Sequence, residues 1–179
     1  MRYCVLCVMV CLGCIAVAQQ PAPTEVKPPD AQELLTREFG KSFTIAAGIP
    51  PMFGDMDGDG LEDAVLVVTS PSPLVDEVDF HYRAIDPYDS YWGWGNPKET
   101  VQFSATNAGP LRYIAIIHNW RTPKAKFLII NLPFEKVLLS RVTLKKKPTL
   151  AVHTIESSSL EADLFWDGKK YKWNPGYTN

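Results

Sequence analysis

From Asp30 onward, the spacing of apolar positions changes once, at Gly40. Ahead of it, AQELLTREF (31–39) places Leu34, Leu35 and Phe39 at helical spacing, and Asp30 and Glu33 stand at capping-box spacing. Gly40 suits a helix stop, so one short N-terminal helix is predicted. Beyond it, apolar or alternating runs fall at 64–69 (AVLVVT), 78–85 (VDFHYRAI), 100–105, 111–117 (LRYIAII), 126–130, 137–144 and 149–155. Each has strand length and strand composition. The arms ADLFW and KKYKW flank Asp167-Gly168, a two-residue turn signal that predicts a C-terminal hairpin. About nine strands and one helix predict a mainly β, antiparallel β-sheet domain over residues 30–179. No period of about 20–50 residues repeats.

The stretch ahead of Asp30 follows another pattern. Arg2 precedes an almost wholly apolar run from Tyr3 to Val17, with small residues at Ala16 and Ala18. This order predicts a signal peptide over 1–18, cut after Ala18, and a secreted or periplasmic product. A lipid anchor at Cys14, in CLGC, is the competing reading; Cys11 stands where such a signal carries an aliphatic residue. Residues 19–29 carry four prolines and read as an extended, Pro-rich linker. All four cysteines (Cys4, Cys7, Cys11 and Cys14) fall within the leader, so the mature chain has no disulfide and needs a core or another staple. With Arg2 removed, the formal net charge moves from −2 to about −3, which argues against nucleic acid as a partner. No second apolar stretch is long enough for a membrane span.

GDMDGDGLED (54–63) concentrates negative charge in one short segment. Either it is a solvated turn or a cation belongs inside it. With Asp55 as position 1, Asp57, Asp59 and Asp63 stand at positions 3, 5 and 9, and Leu61 at 7 can add its main-chain carbonyl. Calcium takes six to eight oxygen ligands in a flexible shell, and carboxylates alternating along a tight turn converge on such a point. Gly58 and Gly60 permit the turn. An EF-hand is excluded because position 12 is Leu66 rather than a bidentate glutamate. Magnesium prefers fewer carboxylates, and zinc prefers nitrogen or sulfur.

FGDMDGDGLEDAVLVV (53–68) resembles the calcium loop of the FG-GAP/VCBS repeats that build integrin-α-type propeller blades. The resemblance covers this stretch alone, in a single copy. It implies a calcium site made by Asp55, Asp57, Asp59, Asp63 and the Leu61 carbonyl. Sandwich and propeller-blade-like sheets both remain open as forms of the fold.

No catalytic residues emerge. There is no G-x-S-x-G, no H-E-x-x-H and no phosphate-cradling glycine loop. ESSSLE (156–161) and Lys145–Lys147 read as polar loops, and His118 and His153 as sheet histidines. His81 would share one strand face with Asp79 and Arg83, and a pocket pairing it with Asp79 or Asp86 would mark an enzyme. In DPYDSYWGWGNP (86–97), Tyr88, Trp92 and Trp94 share a face if the segment is extended. That face either grips a glycan, peptide or protein ligand or closes over the core. The resulting expectation is a secreted, calcium-stabilised binding module. An exported hydrolase and a structural envelope protein are the alternatives.

Overall fold

A computed structural model of the chain describes residues 30–87, 112–144, 146–157 and 160–177, with Ser157 and Tyr177 described by backbone alone. The leader, the Pro-rich linker, the run at 100–105 and the aromatic face of Tyr88, Trp92 and Trp94 lie outside the described residues.

The predicted helix forms as α1 (Ala31–Phe39). Asp30 caps it, its Oδ1 accepting from the N–H of Gln32 at 2.8 Å and of Glu33 at 3.2 Å. The strands are β1 (Thr44–Ile45), β2 (Met52–Gly54), β3 (Asp63–Thr69), β4 (Arg83–Ile85), β5 (Arg112–His118), β6 (Ala125–Ile129), β7 (Lys136–Leu144), β8 (Lys147–Ser157), β9 (Leu160–Trp166) and β10 (Tyr171–Tyr177). A one-turn helix, α2 (Glu77–Phe80), precedes β4. The first sheet has the order β1-β3-β5-β6-β4, with β2 also paired to β3. Its pairings are antiparallel except for the parallel β4–β6 pair. The second sheet is an antiparallel meander, β10-β9-β8-β7. The domain is mainly β, as expected, and the facing sheets make it sandwich-like.

β3 explains why the central strands read as continuous apolar runs. Both of its faces are covered, so Asp63 to Val68 are all buried. Ala64, Leu66 and Val68 pack under α1 with Leu34, Leu35 and Phe39, and with Phe43, Tyr82 and Trp120. Val65 faces the other way, in a cluster with Ile114, Ile116 and Phe127 of the first sheet and Val152, Leu164 and Tyr171 of the second. Helix, first sheet and second sheet thus form three layers with two apolar seams. β7 is covered on one side only, and its burial alternates accordingly.

Two expectations are corrected. The run at 78–85 is not one strand: α2 ends at His81, which takes a left-handed conformation (φ 54°), and only Arg83–Ile85 is extended. Asp79, His81 and Arg83 therefore do not share a strand face. The C-terminal hairpin forms, but Trp166 pairs with Tyr171, so its loop is four residues long, 167–170. Asp167 itself builds that loop, its Oδ1 accepting from the N–H of Lys169 and of Lys170 and its Oδ2 pairing with Lys172 Nζ at 2.9 Å. Burial pushes the Asp167 carboxyl up, but the Lys170 N–H, the Lys172 ammonium and the Lys169 N–H outweigh it and hold the group at about 2.

The sheets approach closely at Gly54, at the end of β2. A Cβ there would collide with the end of the Leu150 side chain and touch Leu139 at 3.5 Å. Leu150 can turn aside for a methyl group, whereas a branched side chain must displace both leucines. Gly54→Val is expected to cost about 1–3 kcal/mol by overpacking, and Gly54→Ala less. Urea unfolding of the two variants beside the wild type measures the difference.

Candidate metal site

The aspartate loop is the connection of the β2–β3 hairpin, which closes with Gly54 opposite Asp63. Its backbone is folded around its own carboxylates. Asp55 Oδ1 accepts from the N–H of Gly58 at 2.7 Å and of Asp59 at 3.1 Å, and its Oδ2 from Gly60 N–H at 3.0 Å. Asp57 Oδ1 accepts from Asp59 N–H and Asp59 Oδ1 from Leu61 N–H. Gly58 and Gly60 sit at φ 80° and 84°, the left-handed conformation this winding requires.

Asp63 anchors the loop from below and is fully buried. Its Oδ2 accepts from Met56 N–H at 2.8 Å, and its Oδ1 from Asn119 N–H, just past β5, at 2.7 Å. Burial raises its carboxyl above the ordinary range, against the pull of those two N–H groups and of His118, and Asp57 adds to the rise.

Asp55, Asp57 and Asp63 each present an oxygen, and the three oxygens lie within 4.8 Å of one another. Oxygens bound to one calcium at 2.3–2.6 Å can be no more than about 4.6–5.2 Å apart, so the spacing and the all-oxygen donor set fit a hard divalent cation. The fourth aspartate behaves differently. Asp59 Oδ2 meets Lys124 Nζ at 2.7 Å. The Lys124 ammonium and the Leu61 N–H hold the Asp59 carboxyl below its usual range, and Asp59 in turn raises the lysine. The Leu61 side chain is exposed. Glu62 turns away from the cluster, accepting from Trp120 Nε1 at 2.9 Å and pairing with Arg121 at 3.1 Å.

A buried histidine joins this loop to the second sheet. His118 Nδ1 lies 3.3 Å from Asp57 Oδ2, and its Nε2 lies 2.7 Å from the Tyr171 hydroxyl. The donor and acceptor roles follow the tautomer of the imidazole: with the proton on Nδ1 alone, Nε2 accepts from the tyrosine hydroxyl. Burial, with Asp63 and Asp57 nearby, pushes the Tyr171 phenol well above its ordinary range and keeps it protonated. Phe127, Trp166 and Tyr171 surround the imidazole at ring-centre distances of 5.1, 5.1 and 5.7 Å. In the sequence alone, His118 reads as an ordinary sheet histidine. Asp57 and Tyr171 lie far from it on opposite sides in the chain, and no local pattern could link them.

Among the described residues, the other polar clusters are engaged as follows. His153 is bracketed by Asp163 at 2.9 Å and Glu161 at 3.4 Å, and Ser140 Oγ reaches Asp163 rather than the imidazole. Asp86 is buried and accepts from Asn131, while His81 is exposed. Among the described residues, no hydrogen bond or ion pair links His81 to Asp79 or Asp86. No helix among them is long and apolar enough to cross a membrane. No protein-family profile, no curated protein and no solved structure matches the chain.

The two ends of the loop should respond differently to truncation. Asp63→Ala strips the acceptor from two N–H groups, and each buried donor left unpaired costs about 1–3 kcal/mol. Asp63→Ala is therefore expected to destabilise the domain by about 2–6 kcal/mol in metal-free buffer, while Asp59→Ala leaves stability nearly unchanged. Chemical denaturation in EGTA distinguishes the two.

Proposed function

We propose that the chain is an exported binding module whose β2–β3 loop holds a calcium ion. The observation that carries this reading is the convergence of the Asp55, Asp57 and Asp63 carboxylates within 4.8 Å at one end of the sandwich. Their mutual repulsion opposes the folded loop, and a divalent cation turns it into attraction. Such an ion would clamp the hairpin to the turn after β5, through Asp63 and Asn119, and to the second sheet, through Asp57, His118 and Tyr171. The resemblance to FG-GAP/VCBS loops supports calcium and adds Asp59 and the Leu61 carbonyl to the ligands. For Asp59 to join, Lys124 has to give way, so the lysine acts as the loop's internal competitor. Export rests on the leader over 1–18. If the segment carrying Tyr88, Trp92 and Trp94 is extended, the three rings would share a face on which a glycan or peptide could stack, and retention on an immobilised polysaccharide checks it.

Thermal melts of the chain from Gln19, in EGTA, calcium or magnesium, test the ion. Binding to the folded state alone stabilises by about 2.7 kcal/mol at a hundredfold excess over Kd. The midpoint is expected to rise with calcium and less with magnesium at equal concentration. Asp57→Asn should lose the rise and Glu62→Ala keep it. Identical melts in EGTA and calcium, or an equal response to magnesium, would defeat the assignment.

A further inference from the structure

Away from the aspartate loop, β8, β9 and β10 line a half-open cavity of about 200 Å³. Leu132, Pro133, Leu160, Trp173 and Pro175 are among its lining residues, and two carboxylates stand in its wall: Glu161, which pairs with His153 at 3.4 Å, and Glu156. The register of the strands sets Glu156 apart. Ile155 pairs with Glu161 and Ser157 with Leu160, so Glu156 is the extra residue of a β-bulge. A bulge leaves the ladder unpaired at that point and re-aims the side chain, and bulges concentrate beside binding sites.

Glu156 is half-buried, and no cation or hydrogen-bond donor among the described residues reaches it. Burial, followed by the charge of Glu135, raises its carboxyl above the ordinary range. A carboxylate withdrawn from water without a counter-charge is costly, so the site favours a ligand that brings one. Negative charge from Glu156, Glu161 and Glu135 disfavours anions. The Thr154 hydroxyl, also in the wall, is already donated to the Ala162 carbonyl, which leaves little to hold a neutral polyol. The leucines and prolines suit methylene groups, and an indole attracts a cation. Pockets for drug-sized ligands run to about 300–1,000 Å³, so this cavity takes a group of side-chain size.

We infer that this cavity is a binding site for an alkylammonium group, with Glu156 as counter-ion and Leu132, Leu160 and Trp173 around the alkyl chain. The inference gives the binding-module reading a ligand class. It does not depend on the calcium loop, and a titration in EGTA keeps the two separate.

The test follows the indole N–H resonance of Trp173 by NMR, assigned through Trp173→Phe. Titrants are n-butylammonium, 1-butanol, butyrate and Nα-acetyl-lysine N-methylamide. The two amines are expected to shift the resonance saturably, and butanol and butyrate at least tenfold more weakly. Tighter binding of the lysine derivative assigns the source to a peptide side chain; tighter binding of butylammonium assigns it to a free amine. Glu156→Gln should weaken the amines at least tenfold, while Glu33→Gln, the same charge change at the exposed end of α1, should leave them unaffected. If Glu156→Gln does not fold, Glu135→Gln replaces it, with a loss of a few-fold expected. Equal binding of butanol, undiminished binding by the folded glutamate variant, or no shift with either amine overturns the inference.

Discussion

A carboxylate with no access to water, held by two main-chain N–H groups, fixes the geometry around it. Asp63 begins the central strand of the first sheet and ties Met56 of its own loop to Asn119 of the next connection. Acceptance of two N–H bonds makes burial of the charge tolerable, and burial makes those bonds strong. The loop must then bring its other aspartates towards Asp63 whatever their repulsion. Glycines at positive φ and the N–H groups folded inward around Asp55 are the means by which the backbone does so.

The layers beneath pack this end of the molecule on both sides. β3 carries Asp63 into a strand buried on both faces, between the helix-side core and the inter-sheet core. His118 closes the remaining gap, reaching Asp57 on one side and the Tyr171 hydroxyl of the second sheet on the other. Lys124 offsets part of the loop's charge from outside, through Asp59. The loop is thus a structured element in its own right, and the proposed ion would add to an arrangement that the backbone already specifies.

Features set by short-range chemistry were legible in the sequence. α1 was readable because cap, period and stop all lie in one short segment, from Asp30 to Gly40. β3 and β5 were readable because strands covered on both faces are apolar throughout. β1 and β2 escaped notice because elements so short show no period. At 78–85 the alternation favoured a strand, and one helical turn ended by a left-handed His81 won instead. In the site, the aspartate spacing pointed to a common centre, and an oxygen each of Asp55, Asp57 and Asp63 lies within 4.8 Å of the others. The engagement of Asp59 by the distant Lys124 and the His118–Tyr171 link are products of the fold, invisible before the strands are paired. The cavity at Glu156 depends on a bulge, a feature of register that composition does not encode.

The central claim, that these three carboxylates form one cation site, is tested most directly by calorimetric titration of the folded chain with calcium. The wild type is expected to bind one calcium per chain, Lys124→Met, where the competing ammonium is gone, to bind it more tightly, and the double variant Asp55→Asn, Asp57→Asn not to bind it. A folded wild type that takes up no calcium at millimolar concentration, or a double variant that binds as the wild type does, would contradict the claim.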